Sequence, residues 1–396
     1  MIRVMELSPG IRSAIILGSL SCLCLTSAGS ASAGLLSYVT GTTPLAPGVE
    51  VIFRVTYDPA VSGSAIVTPV VGDPTIRLDG IDFVAGSSSL VVVGAQKPGV
   101  GGAADGGAIA QFNVVAGTRL ADFVANTNTV VPVPPPSGSS KPSTVLSTAT
   151  HVYYTENQFG FAGGTNRIMR TAIGGPAGTA AVIFDGAALG PPGFRNFEGL
   201  EIVGSNLYFF GDEAPATRAL YSIGLTALGL WDGLAPLKRL GGLTRGPGFD
   251  GSDELDFDPA TGFLYGTNIV SGEVIKYDPV AMAGGFLISP GAIAAAAPGS
   301  SLARLGTGMT DGIRATGTGF LVLTGLDGVI LSIDLAGVAG GLDTGDVKIL
   351  YEDSRFHFDD LTPSVVPLPT SPALFALACL ALFFGRMAPK RAKRRQ

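Results

Sequence analysis

Three observations predict an all-β fold, specifically a six-bladed β-propeller with four-stranded blades. Short apolar runs punctuated by Gly, Pro, Asp and Asn recur from end to end. A single four-strand unit repeats along the chain. The two ends of the repeated region hold incomplete units that complement each other.

The composition sets the frame. The 396 residues include 57 Gly and 27 Pro, and only 14% are charged, yet 46% are hydrophobic. Gly and Pro at that level accompany disorder only when apolar residues are scarce, so this is a foldable chain with many turns. The three cysteines, Cys22, Cys24 and Cys379, lie in apolar terminal segments. Residues 34–365 therefore hold neither a disulfide nor a thiolate metal site. Residues 1–33 carry +1 and residues 366–396 carry +6, so against a formal total of −6 the body carries −13. A body this acidic is unsuited to nucleic acid, whose phosphates need Lys and Arg. It suits cations or basic partners.

The clearest copy of the unit is 252–278. It has an acidic start at Asp253, a strand, the turn Asp258-Pro259-Ala260-Thr261-Gly262, then two more strands. Pro pre-sets φ early in such a turn and Gly accepts positive φ late. The acidic start recurs as Asp79-Gly80-Ile81, Glu198-Gly199-Leu200, Asp311-Gly312-Ile313 and Asp359-Asp360-Leu361, with a degenerate copy at Ser143-Thr144-Val145. Successive starts from Asp79 are 64, 55, 55, 58 and 48 residues apart, the period of propeller blades with variable loops.

The acidic start opens an innermost strand A. Strand B is expected at 90–94, 151–155, 207–211, 263–267 and 320–325. Strand C follows at 108–115, 167–173, 219–225, 273–277 and 329–335, and a shorter strand D at 119–124, 180–184, 237–240, 302–305 and 347–351. The last A strand, 359–365, has nothing after it. Residues 35–40, 49–57 and 65–71 read as B, C and D with no A before them. Joining the pieces makes a sixth blade from both chain ends and closes the ring without an exposed sheet edge. Pro69 is tolerable there because D is an outer strand. The Pro-rich stretch 131–142 is then a loop between blades, and 294–297 a second long loop with room for a helical turn. A β-sandwich followed by half a propeller is the competing arrangement, disfavoured by the constant four-strand order.

The acidic starts are the main candidate site. Asp79, Glu198, Asp253, Asp311 and Asp359 are expected near one mouth of the central channel, where like charges need a partner. Ca2+ is one such partner. Hydrogen bonds that each carboxylate accepts from its own loop are the other. Asp256, Asn157, Asn166 and Asn268 are further polar candidates. His151 and His357, the only histidines, are too far apart in sequence for a metal-ligand pair. Trp231, the single Trp, is expected to pack or to meet a partner at a rim. The architecture is similar to that of calcium-dependent propeller lactonases, but their blade-by-blade set of Glu, Asn and Asp has no residue-by-residue match here. Catalytic residues are therefore not assigned. A non-enzymatic binding module and a calcium-dependent hydrolase or lactonase both stand as expectations.

Both ends read as targeting segments. A weakly basic start, an apolar stretch at 13–25 and Ala31-Ser32-Ala33 have the order of a secretory signal cleaved after Ala33. At the other end, Val366-Pro367-Leu368-Pro369 precedes an apolar run at 373–385 and a basic tail at 386–396. The order of motif, short apolar helix and basic cluster resembles the PEP-CTERM class of exosortase sorting signals, in a VPLP variant. Leu368 replaces the usual acidic residue and Thr370 the usual small one. The resemblance implies export by the secretion machinery, recognition by an exosortase, and membrane attachment only through the C-terminal helix before processing. The expected location is the envelope, surface or extracellular matrix of a Gram-negative-type bacterium, with a surface polysaccharide or protein as partner.

Overall fold

The computed structural model describes residues 34–44, 49–96, 107–125, 142–157, 166–176, 179–189, 194–212, 218–231, 238–239, 254–267, 274–288, 290–296, 310–338 and 345–363. These residues build six four-stranded antiparallel sheets arranged as a six-bladed β-propeller. The closing blade takes its inner strand from the C-terminal side, β24 (His357–Leu361), and its outer three from the N-terminal side, β1 (Leu35–Thr42), β2 (Glu50–Tyr57) and β3 (Ile66–Gly72). Leu35–Val365 form one compact unit.

The other blades follow in chain order, inner strand first. They are β4 (Arg77–Phe83) to β7 (Thr118–Arg119), β8 (Val145–Ser147) to β11 (Ala180–Asp185), and β12 (Arg195–Val203) to β15 (Lys238–Arg239). Next come β16 (Leu255–Asp258), β17 (Phe263–Thr267), β18 (Val274–Asp278) and β19 (Ala283–Ile288). The last full blade is β20 (Thr310–Ala315), β21 (Phe320–Gly325), β22 (Val329–Asp334) and β23 (Val347–Glu352). The inner strands touch in the cyclic order β4, β8, β12, β16, β20, β24 and back to β4, so the ring is closed.

One expected strand is corrected. The outer strand of the Asp253 blade is β19, reached by a tight hairpin after Asp278, and not 302–305, which lies outside the described residues. Asp278 caps that turn by accepting hydrogen bonds from the backbone N–H of Val280 (2.8 Å) and Ala281 (2.9 Å). The helical turn expected near 294–297 is α2 (Pro290–Ala296), between α1 (Gly186–Leu189) and α3 (Leu335–Val338). Residues 131–141 of the Pro-rich loop, the cleavage site at Ala33 and the motif Val366-Pro367-Leu368-Pro369 lie outside the described residues. No helix among the described residues is long and apolar enough to cross a membrane.

The core lies between blades, where each sheet buries its faces against its neighbours. Phe184 on β11 meets Phe197 and Phe209 of the next blade at 5.6 Å, and Trp231 at 5.7 Å, so the single Trp packs. At the closure, Tyr38 meets Phe83 across the blade boundary at 5.8 Å.

The recurring acidic-Gly start has a backbone cause. Inner-strand register breaks between Leu78 and Ile81, between Glu198 and its neighbours, and between Thr310 and Ile313. Each break is a bulge, where the strand turns toward the adjoining blade. At the first bulge the Gly80 N–H donates to Ser143 O of the next inner strand at 2.6 Å. A Cβ on Gly80 would lie 2.2 Å from that oxygen. Gly80→Ala must force two inner strands apart, and we expect a loss of about 3 kcal/mol in urea unfolding. Strand-B threonines complete the tie: Thr324 Oγ1 accepts from Gly312 N (3.0 Å) and donates to Asp359 O (2.5 Å), and Thr267 Oγ1 donates to Asp311 O (2.6 Å).

Candidate functional site: a carboxylate-lined axis

In four blades the residue three positions after the acidic start is charged: Asp82, Glu201, Asp256 and Arg314. Asp82 on β4 feels the charges of Arg314 on β20 and of Asp256 on β16. Neither strand is a ring neighbour of β4, whose neighbours are β24 and β8. Glu201 on β12 likewise feels Asp82 and Arg314. Groups on non-adjacent inner strands that act on one another share the central channel.

Arg314 is the cation of this cluster. It is buried, with Nη1 2.9 Å from Glu254 Oε2 and 4.0 Å from Asp256 Oδ1. Its Nη2 donates to Glu254 Oε1 at 3.0 Å, and Nη1 also donates to the carbonyls of Ile313 and Leu255. Backbone donors reach the carboxylates as well. Asp82 accepts from Phe83 N and Ser147 N, both at 2.7 Å. Asp256 accepts from Ala315 N at 2.6 Å, Glu254 from Ile313 N at 3.2 Å and Glu201 from Ile202 N at 2.9 Å.

Burial pushes these carboxyls up despite the donors: Asp82 to about 6, Asp256 to about 7, Glu254 to about 8, and Glu201 well above its ordinary value. Arg314 opposes the rise in all four. Burial works against the charge on Arg314 itself, but Glu254, Asp256, Asp82 and Asp360 leave its pKa raised.

The acidic starts are sorted differently. Asp79 and Asp359 come together with Asp360, each offering a carboxylate oxygen within 4.8 Å of the others. Glu198 sits in a separate buried network, accepting from Ser143 Oγ (2.6 Å), Thr144 Oγ1 (3.3 Å) and Asn157 Nδ2 (2.9 Å). That network spans β8 to β12, so Glu198 and Asn157 join two blades. Glu198→Ala removes the shared acceptor of three buried hydrogen bonds. We expect it to cost about 3 kcal/mol in urea unfolding, with Glu198→Gln costing less because it keeps one acceptor oxygen. Asp311 is buried and its carbonyl takes the Thr267 bond. Asp253 and Asn268 lie outside the described residues, and Asn166 is buried at the start of its C strand.

His357 is exposed. His151 contacts Thr150 Oγ1 through Nδ1 at 2.8 Å, and burial followed by Arg170 lowers its pKa. Of the axial groups, only Asp256 stands among the candidates that the sequence offers. The available signal was the second acid of each motif, as in Asp79-Gly80-Ile81-Asp82 and Glu198-Gly199-Leu200-Glu201, with Arg314 standing at that position in the fourth copy.

No protein-family model matches the chain, and no curated relative is found by sequence. Among solved structures, the chain is similar to one from a nidogen/laminin complex, with 14% identity, 82% of this chain and 97% of that one covered, and a TM-score of 0.52. It is also similar to TolB from Acinetobacter baumannii, at 10% identity, 83% and 66% coverage and a TM-score of 0.50. A putative 6-phosphogluconolactonase from Bacteroides fragilis NCTC 9343 matches at 14% identity, 82% and 83% coverage and a TM-score of 0.45. The first two likenesses show a shared propeller fold and nothing finer.

Proposed function

We propose that the chain is an exported propeller of the cell surface or extracellular matrix, a non-enzymatic module that binds a surface polysaccharide or protein partner through one rim of the ring. The observation that carries this reading is the axis. Arg314 is bound to Glu254 and faces Asp256, and backbone N–H groups bond Asp82, Glu201, Glu254 and Asp256. Asp82, Glu254, Asp256 and Arg314 bond across neighbouring inner strands, which leaves the blade-to-blade loops as the variable surface. The −13 charge of residues 34–365 favours a basic partner or a polysaccharide bridged by cations. Export rests on the secretory pattern that ends at Ala31-Ser32-Ala33, and exosortase sorting on the resemblance carried by Val366-Pro367-Leu368-Pro369.

Two measurements test this reading. Mass spectrometry of the protein from exosortase-bearing cells should find a surface or matrix form that begins at Gly34 and lacks 386–396. An intact tail in the inner membrane would refute the sorting. The purified protein should also sediment saturably with the cells' own surface polysaccharide or with intact cells, and no retention by either would refute the binding role. A second reading, a calcium-dependent hydrolase or lactonase at the channel mouth, is favoured by the convergence of Asp79, Asp359 and Asp360. Calcium-dependent lactone turnover that vanishes in Asp359→Asn would select it.

A further inference from the structure

We propose that a calcium-like divalent cation binds at the seam where the ring closes, held by Asp79, Asp359 and Asp360 together with the hydroxyl of Thr40, and that it fastens the chain's last strand to the first complete blade.

The geometry comes first. Asp79 is on β4, the first inner strand, and Asp359 and Asp360 are on β24, the last, and the two strands are ring neighbours. Oxygens about 2.4 Å from one Ca2+ lie at most about 4.8 Å apart, and the three carboxylates meet that limit without movement.

Thr40 supplies the independent observation. It is fully buried, and its Oγ1 has no hydrogen-bond partner. Its counterpart in the preceding blade is Thr324. Gly325 pairs with Thr310 and Leu323 with Ile313, just as Gly41 pairs with Phe358 and Val39 with Leu361. Thr324 uses its hydroxyl fully, accepting from its own inner strand at Gly312 N and donating to the next at Asp359 O. The same register puts Thr40 opposite Asp359-Asp360, on the face of β1 that packs toward β4. Tyr38, two residues earlier on the same face, does reach β4, through Phe83. A stranded hydroxyl oxygen thus belongs to the same seam as the three converging carboxylates. A buried polar atom left this way is costly unless something not yet counted meets it.

Charge balance points the same way. Asp360 shares a hydrogen bond with Glu254 and acts on Arg314, so the seam is continuous with the axial carboxylates. Arg77 feels the charges of Asp79 and Asp359, and its side chain is 72% exposed and bonded to Glu50 at 2.9 Å. Hard oxygen ligands of irregular spacing suit Ca2+ better than Mg2+, which demands a tight octahedron. The role is structural by position, because β24 is the strand that closes the ring. A cation that binds only the closed ring stabilises it by about 2.7 kcal/mol at 100 times its Kd. The site depends on neither functional reading, and its test reads binding and melting, not turnover.

Calcium chloride is titrated into the chelator-treated full chain by calorimetry, and melting is followed with and without Ca2+. One Ca2+ per chain and a rise in Tm of several degrees are expected. Asp79→Asn and Asp359→Asn should each weaken binding at least about tenfold, as loss of a charged oxygen ligand does. Thr40→Val should also weaken binding while the calcium-free protein melts no lower than wild type, because the hydroxyl it loses has no partner to strand. No heat and no shift up to about 10 mM Ca2+, beyond the range of weak extracellular calcium modules, overturns the proposal. Unchanged affinity in both Asn variants overturns the ligand set. Unchanged affinity in Thr40→Val removes Thr40 from it. The wild-type titration decides the matter even if a variant does not fold.

Discussion

Ending the chain at Ser354 is expected to abolish cooperative melting of the propeller, whereas ending it at residue 365 is expected to leave melting unchanged. The two truncations differ by β24 alone among the described strands, and both remove the tail, so the comparison isolates ring closure. β24 places Phe358 and Leu361 in the core, both with no exposed surface. Phe358 meets Phe53 at 5.6 Å, Phe356 at 5.7 Å and Tyr351 at 5.8 Å. Each such side chain contributes about 1.5–3 kcal/mol on burial. The backbone adds a reciprocal lock: Tyr38 N donates to Thr362 Oγ1 at 2.9 Å and Thr362 N to Tyr38 O at 2.8 Å. Without β24, the inner edge of β1 and the flanks of β4 and β20 lose their covering strand. Losses of this size match the whole stability of a typical domain, about 5–15 kcal/mol, so the outcome is unfolding and not a shifted midpoint. Circular dichroism melts of the two truncations decide it, and coincident curves would sink the shared-blade account. Phe358→Ala is a graded version, expected to cost about 3–5 kcal/mol.

Most of this fold was legible because it is local and repeated. Turn chemistry at Asp258-Pro259, the acidic-Gly starts and alternating apolar runs each report a strand boundary directly, and six copies average out the degenerate ones. The incomplete ends, Leu35 onward and Asp359 onward, gave the closure by counting strands. Two things were harder to read. The outer strand Ala283–Ile288 contains Gly284-Gly285 and follows a hairpin immediately, so its pattern is weak. The site was harder for a physical reason. A conspicuous acid marks where an inner strand bulges, and a bulge changes which side chains face the axis. The eye therefore falls on Asp79 and Glu198, while the channel receives Asp82 and Glu201. Thr40 was unreadable for a different reason: nothing in its local sequence shows that its buried hydroxyl lacks a partner.

Arg314→Met has the second large effect, and its size depends on pH. At pH 8 the substitution removes the one cation bonded to Glu254 and facing Asp256 in the buried cluster. Stripping one partner from a buried pair costs about 3–5 kcal/mol, because the remaining charge is left uncompensated. Protonation offers an escape. The folded pKa values of Asp82, Asp256 and Glu254, about 6, 7 and 8, lie above their ordinary values of 3.8, 3.8 and 4.5, and Glu201 shifts in the same direction. For groups raised in this sense, the folded chain holds protons that the unfolded chain has released. Their stabilisation is fully present below the unfolded values and is lost as pH rises through the folded ones. In chelator-containing buffer the wild-type protein should therefore be more stable at pH 5.5 than at pH 8.5, by a few kcal/mol in order of magnitude. Asp73 and His151, whose pKa values are lowered, act in the opposite sense, but both are partly exposed and their effect is small. Arg314→Met should lose most at pH 8.5 and recover part of that loss at pH 5.5, where the carboxyls it leaves behind are protonated. The bonds from Arg314 to Leu255 O and Ile313 O are lost at every pH and set the unrecovered part. Arg314→Lys keeps the charge without the fork, so it should show the smaller pH dependence of the two variants. Urea unfolding of the three proteins at both pH values measures each quantity. An Arg314→Met penalty that is the same at pH 5.5 and 8.5 would show that the axial charges are not coupled to the closure of the ring.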